Sequence, residues 1–173
     1  MELKSLIRDV PNFPKQGIIF KDITTLLKDP TGLNNAVEEL LNFLHNKQIT
    51  KVAGIESRGF ILGGIVAQKL GAGFVPIRKP GKLPAECISE SYSLEYGTDK
   101  VEMHKDAIQK GDKILLHDDL LATGGTMEAA CKLVERLGGE VVQISFLIEL
   151  NFLNGREKLK NYDVRSIIQY DSE

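Results

Sequence analysis

Asp118-Asp119-Leu120-Leu121-Ala122-Thr123-Gly124-Gly125-Thr126 is the stretch of this 173-residue chain richest in chemistry. Its two adjacent carboxylates can accept hydrogen bonds from sugar hydroxyls or help hold Mg²⁺. Gly124 and Gly125 let the backbone approach a ligand closely, and Thr123 and Thr126 supply hydroxyl donors. A short apolar run at 113–117 precedes the motif. After it, Met127, Ala130, Val134 and Leu137 recur at helical spacing until Gly138. A helix start offers free N–H groups and partial positive charge, so Ala122 to Thr126 reads as a phosphate cradle. Acid pairs are commonly solvated turns and Thr-Gly-Gly-Thr is often a plain loop. It is their combination between a strand and a helix that is specific. No GxxxxGK[ST] or GxGxxG motif occurs. Gly71-Ala72-Gly73 begins like the latter but has Pro76 at its last position, and it reads as a turn.

The elements that must carry this loop alternate along the chain. Asp29-Pro30 is a helix start signal, followed by Leu33, Ala36, Val37, Leu40, Leu41 and Leu44 on one helical face over 32–47. His45 then falls in that helix's last turn. Strands are expected at 52–55, 74–77, 113–117, 141–148 and 164–170, and helices at 60–70, ended by Gly71, and 126–137. This alternation predicts an α/β fold: one domain over 1–173, with a mostly parallel twisted sheet flanked by helices. The 35 residues between Ile77 and Lys113 have no helical period, and so long a loop is usually functional. Residues 87–95 and 100–103 can pair as a hairpin around a Tyr96-Gly97-Thr98-Asp99 turn, forming a flexible lid.

Composition narrows the partners. There are 22 Lys and Arg against 24 Asp and Glu, a net charge of −2, which argues against nucleic acid or an anionic membrane as a partner. No apolar run is long enough to span a bilayer, and the N-terminus lacks an apolar signal stretch. Cys87 and Cys131 give neither a disulfide framework nor a zinc spacing, so a reducing, cytoplasmic setting is expected. Cys131 reads as a small core filler, and His117, at the end of a buried strand, as a hydrogen-bonded core histidine.

The stretch "LLHDDLLATGGT" resembles the phosphoribosyl pyrophosphate (PRPP) motif of the type I phosphoribosyltransferase family. "FPKQGIIFKDITTLL", "GIESRGFILGG", "IRKPGKLP", "SYSLEYGTDKVEMHKDAI" and "FLIELNFLNGREKL" resemble its adenine-using branch along nearly the whole chain. His117 stands where an aliphatic residue is usual and Lys21 where Arg is. Gln16, Thr25 and Asn151 stand where Pro is frequent. None of these removes a required group, although Lys21 loses a bidentate donor.

The resemblance implies purine salvage: transfer of the 5-phosphoribosyl group from PRPP to N9 of adenine, giving AMP and pyrophosphate, with Mg²⁺ as cofactor. It implies an N-terminal hood over about 1–30, a lid over about 79–108, and a homodimer. Ala122, Thr123, Gly124, Gly125 and Thr126 would cradle the 5′-phosphate, and Asp118 and Asp119 would hold the ribose hydroxyls. Glu56, Ser57, Arg58, Arg78, Lys79 and Lys82 would face pyrophosphate, with His104 a further candidate. For the basic residues, a solvated loop is the competing reading. A non-proline cis peptide is expected between Glu56 and Arg58. Mg²⁺ would be held mainly by PRPP oxygens and water, with Asp118 and Asp119 as further donors. Glu95 is the expected catalytic acid/base and Tyr96 its lid neighbour, against the plainer reading of two surface residues. Adenine would lie against Ile19, Phe20, Lys21 and Leu150, unless the apolar residues among them are core. Two other readings compete: a 6-oxopurine enzyme, which needs the opposite hydrogen-bond pattern at the base, and a PRPP-sensing regulator, which would need a DNA-binding extension.

Overall fold

Residues bearing apolar side chains on both faces form the central strands, and they assemble in parallel. In the computed structural model, which describes residues 2–94 and 96–173, five strands form one sheet. They are β3 (Lys51–Ile55), β4 (Gly73–Ile77), β7 (Lys113–Leu121), β8 (Glu140–Leu150) and β9 (Val164–Tyr170), in the spatial order β4-β3-β7-β8-β9. All four pairings are parallel. Helix α4 (Gly125–Arg136) covers one face, contributing Met127, Ala130, Leu133 and Val134 to a core with Ile114, Leu116 and Phe146. Helices α2 (Pro30–Asn42) and α3 (Gly59–Leu70) cover the other, where Ala36, Leu40, Leu62 and Val66 meet Val52 and Leu115. The α/β architecture expected from the alternation is the one observed.

Local signals set several ends. The Asp29 carboxylate accepts the N–H groups of Thr31 and Gly32 at 2.9 Å, capping α2 with Pro30 in its first turn. Gly71 takes a left-handed φ of 64° after α3. Helix α2 stops at Asn42, earlier than the spacing predicts, so His45 lies in the following turn and is exposed. The preceding residue, Leu44, remains buried although the helix has ended, which is why the apolar pattern ran on.

Strand β7 runs through the acid pair to Leu121 instead of ending at His117. The ladder to β8 continues with Asp118 opposite Phe146 and Leu120 opposite Ile148.

The N-terminal segment contains two strands that no periodicity announced: β1 (Arg8–Pro11) and β2 (Ile19–Asp22), antiparallel in a small sheet of their own. The connection between them holds a cis Phe13–Pro14 bond and Asn12 at φ 58°. The short helix α1 (Thr24–Leu27) then leads to α2.

Strands β5 (Cys87–Ser93) and β6 (Thr98–His104) form the expected hairpin, but in a different register. Thr98 and Asp99 belong to β6, opposite Ser93 and Tyr92, and the connection spans 94–97. The segment is anchored at its base: Val101, Met103 and Ile108 are buried in the same core as α4.

Candidate active site

Chain order reverses in the sheet between β3 and β7: β3 leads outward to β4 on one side, β7 to β8 and β9 on the other. Ligands of open parallel sheets bind in the crevice at such a point, beyond the strands' carboxyl ends. The two loops that leave there are Glu56-Ser57-Arg58 after β3 and Ala122-Thr123-Gly124 after β7. Between them lies a cleft of about 400 Å³ lined by Glu56, Ser57, Arg58, Lys79, Asp118, Asp119 and Leu120. A smaller hollow of about 90 Å³ adjoins it, lined by Asp118 and the loop through Thr126.

Gly124 caps α4 with a left-handed φ of 84°, and no side chain satisfies the helix's first N–H groups. Thr123 is exposed and Thr126 half-exposed beside them. This is an anion cradle in form.

Charge in the cleft is closely paired. The Arg58 Nε donates to Asp119 Oδ2 at 2.5 Å, and its guanidinium lies 4.9 Å from the centre of the Phe20 ring. Asp119 is 4 % exposed. Withdrawal from water, followed by the neighbouring Asp119 charge, pushes Asp118 well above the usual carboxylate range. Two adjacent acids therefore differ: one is ion-paired, the other is pushed toward its protonated form.

The Glu56–Ser57 peptide is cis, as expected for this loop. The Glu56 carboxylate accepts the Lys79 backbone N–H and lies 3.5 Å from Arg78 Nη2. Lys79 Nζ donates to Tyr92 Oη at 2.7 Å and pairs with Asp99, whose carboxylate also accepts the Tyr92 hydroxyl at 3.1 Å. Desolvation pulls Lys79 down, but the bonds to Asp99 and Tyr92 raise it above its ordinary value. The basic cluster is therefore divided. Arg78 and Lys79 have partners within the chain, while Lys82 is exposed. His104 faces the 80–86 loop, where its Nε2 accepts the Ala85 N–H at 3.2 Å.

Phe20 lies at the cleft through its contact with Arg58 and packs edge-to-face on Phe13. Ile19 is half-buried, and Leu150 packs with the core beneath α2 and α3. Lys21 points elsewhere: its Nζ pairs with Asp9 at 2.8 Å and lies 4.2 Å from the Tyr170 ring centre. In an antiparallel strand adjacent side chains face opposite ways, so Phe20 and Lys21 cannot both face the cleft. Tyr96 is 85 % exposed. Glu95 lies outside the described residues.

His117 is a core histidine. Its Nδ1 is 3.0 Å from Ser145 Oγ, and burial brings the imidazole down to about 4. Cys131 is fully buried, and its thiol is pushed up to about 12 by the same cause.

Nothing in the residue type of Tyr92 or Asp99 marks either for the site. The signal for them is their pairing in the hairpin, which places both beside Lys79.

The sequence matches the family described as "phosphoribosyl transferase domain" over residues 24–172. It is 60 % identical to the adenine phosphoribosyltransferase of Halothermothrix orenii, over 98 % of this chain and 99 % of that one. The chain belongs to the adenine phosphoribosyltransferase family. The crystal structure of the family member from Thermoanaerobacter pseudethanolicus superposes with a TM-score of 0.95 at 54 % identity, covering 98 % of both chains. The adenine phosphoribosyltransferase of Saccharomyces cerevisiae, solved with an imino-altritol bisphosphate and adenine, superposes with a TM-score of 0.90 at 40 % identity, covering 96 % of both.

Proposed function

We propose that this enzyme forms AMP and pyrophosphate from adenine and PRPP in a Mg²⁺-dependent reaction. The observation that carries the reading is the pairing of an acid-ended strand with an uncapped helix start at the sheet's reversal point, in a chain so similar to enzymes of that name.

Positive charge builds on the ribose as its bond to pyrophosphate breaks and N9 approaches. Backbone N–H groups from Ala122 to Thr126 would hold the 5′-phosphate and fix the sugar. Asp119 and Asp118 would hold the two hydroxyls, the negative charge of the Asp119 carboxylate favouring the cationic sugar. The Glu56-Ser57-Arg58 loop, with Arg78, Lys79 and Lys82, would receive the leaving diphosphate. Phe20 would give adenine an apolar wall. Glu95 would exchange a proton with the base once the hairpin closes and excludes water.

Among the described residues no group of three or more His, Cys, Asp or Glu gathers to hold a metal. The acid pair offers hard oxygen donors that suit Mg²⁺, with substrate oxygens and water completing its shell. When bound, the ion would offset diphosphate charge.

A homodimer is proposed as well. The outer face of α3 and the edge strand β4 expose Ile61 and Phe74, with Phe60 edge-to-face on Phe74 at 5.8 Å. No helix among the described residues is long and apolar enough to cross a membrane, and Cys87 and Cys131 are unpaired. The free thiols support a cytoplasmic setting.

The test follows AMP formation from radiolabelled adenine with and without PRPP and Mg²⁺, alongside hypoxanthine, guanine and xanthine. AMP made only with PRPP and Mg²⁺, and faster than any 6-oxopurine product, is expected. Faster turnover of hypoxanthine or guanine would overturn the adenine assignment.

A further inference from the structure

The phosphate loop leans on a distant part of the chain. Between β8 and β9, a 3-10 turn at Gly155–Leu159 brings the Gly155 backbone against the loop. A Cβ at Gly124 would lie 2.5 Å from the Gly155 carbonyl oxygen, and one at Gly155 would overlap the Ala122 carbonyl oxygen outright. The two backbones are therefore in direct contact, with no side chain between them. Gly155 is buried in that contact.

The next residue fixes the turn. Arg156 grips the Glu149 carboxylate in bidentate fashion, Nε to Oε1 at 2.8 Å and Nη2 to Oε2 at 2.6 Å. Its Nη1 donates to the Val164 carbonyl at 2.8 Å, and Ser166 Oγ donates to Glu149 at 2.5 Å. Glu149 is 4 % exposed near the end of β8, and Val164 begins β9. One guanidinium thus ties the turn to two sheet strands. A planar fork with three anchored N–H groups defines a direction as well as a position.

We infer that the Gly155 turn, locked by the Glu149–Arg156 pair, is the buttress that sets the backbone of the 5′-phosphate loop, which makes Gly155 and Arg156 positioning residues for PRPP. The inference rests on Ala122–Thr126 being the phosphate site. It adds that the site's shape is imposed from outside the loop. Gly155 does not need a left-handed backbone, so alanine there changes only the occupied volume, and the volume it claims belongs to Ala122.

The experiment compares Gly155→Ala, Arg156→Lys, Arg156→Ala and Glu149→Gln with the parent enzyme. Steady-state constants are taken for both substrates, with calorimetric binding of ribose 5-phosphate and thermal melting. A displacement of about 1 Å in a positioning element costs on the order of 100-fold. Gly155→Ala and Arg156→Ala are accordingly expected to weaken ribose 5-phosphate and raise KM for PRPP by roughly 10- to 100-fold, with KM for adenine within about threefold. Arg156→Lys, which keeps the charge and loses the fork, falls between. A folded Gly155→Ala that binds ribose 5-phosphate like the parent overturns the inference. If that variant does not fold, unchanged PRPP constants in Arg156→Lys and Glu149→Gln do the same, as does a lower melting temperature with all constants intact. Thr123→Asp, which puts a negative charge at the exposed rim of the cradle, separates the two levels. Unchanged ribose 5-phosphate binding in it removes the phosphate-site reading itself. Weakened binding there, but not in the turn variants, removes only the buttress.

Discussion

Arg58 and Asp119 close on each other across the cleft: the cation of the β3 loop reaches, at 2.5 Å, the acid that β7 carries past its partner β3. In the proposed reaction a ribose hydroxyl reaching Asp119 would compete with this guanidinium, and its arrival would free Arg58 for the diphosphate. The two side chains therefore act as one unit. Contacting charged residues in one network show coupling of about 0.5–3 kcal/mol. Arg58→Gln, Asp119→Asn and the double variant should be clearly non-additive in kcat/KM for PRPP. Additive losses would show that the ion pair is incidental to catalysis.

Glu95 carries a separate expectation. Glu95→Gln would remove the proposed proton exchange at nearly unchanged side-chain size. Turnover should fall by roughly 10²- to 10⁴-fold, the usual yield of a general acid or base, while PRPP affinity stays close to that of the parent. An unchanged turnover number ends the assignment.

Lys79 is held by Asp99 and Tyr92 at a partly exposed position, with side chains 42 % and 32 % exposed for the ion pair. Such a pair contributes at most about 1 kcal/mol to stability. Asp99→Asn should therefore leave the melting curve nearly unmoved, whereas Lys79→Gln should raise KM for PRPP, by about tenfold for one lost charge-assisted contact. Equal KM in Lys79→Gln and the parent would place the cation outside the substrate's reach.

His117 gives the fold a pH dependence whose sign follows from its burial. The imidazole titrates near 4 in the folded chain against 6.5 in the open one, so the unfolded state binds the extra proton between those values. Stability is then full above pH 6.5 and falls as pH drops through that window. The loss attributable to this group between pH 7 and pH 5 is roughly 2 kcal/mol. Urea titrations of the metal-free protein should show it, and His117→Val should lose that much less over the same interval. An identical pH slope in both proteins would mean that other groups carry it.

The central sheet was legible because its strands are buried on both faces, and Val52-Ala53-Gly54-Ile55 is a run that only such a position tolerates. The phosphate loop was legible because its glycines, hydroxyls and helix start are contiguous in the chain. Elsewhere the signal was not local. Asp118 interrupts the apolar pattern, yet the β7–β8 ladder continues through it, since backbone pairing is indifferent to charge at a sheet's functional end. β1 and β2 are four residues each, too short for a period to establish itself. Lys21 could be matched by type to a base pocket, but its direction depends on Asp9 and Tyr170, from opposite ends of the chain. The grip of Asp99 and Tyr92 on Lys79 needs strand register, which composition does not carry.

Strand β2, which bears Ile19 and Phe20, shares no ladder with the central sheet; it pairs with β1 alone. The piece of chain that would meet the base and the piece that would meet the sugar phosphate are thus joined by one covalent connection and by side-chain contacts such as Phe20 on Arg58 and Lys4 Nζ on the Gln169 carbonyl, and among the described residues they share no strand pairing. Such a molecule is modular in an evolutionary sense. Substitutions in the first two dozen residues would then retune which ring is accepted without breaking any strand pairing of the sheet that would carry the activated sugar.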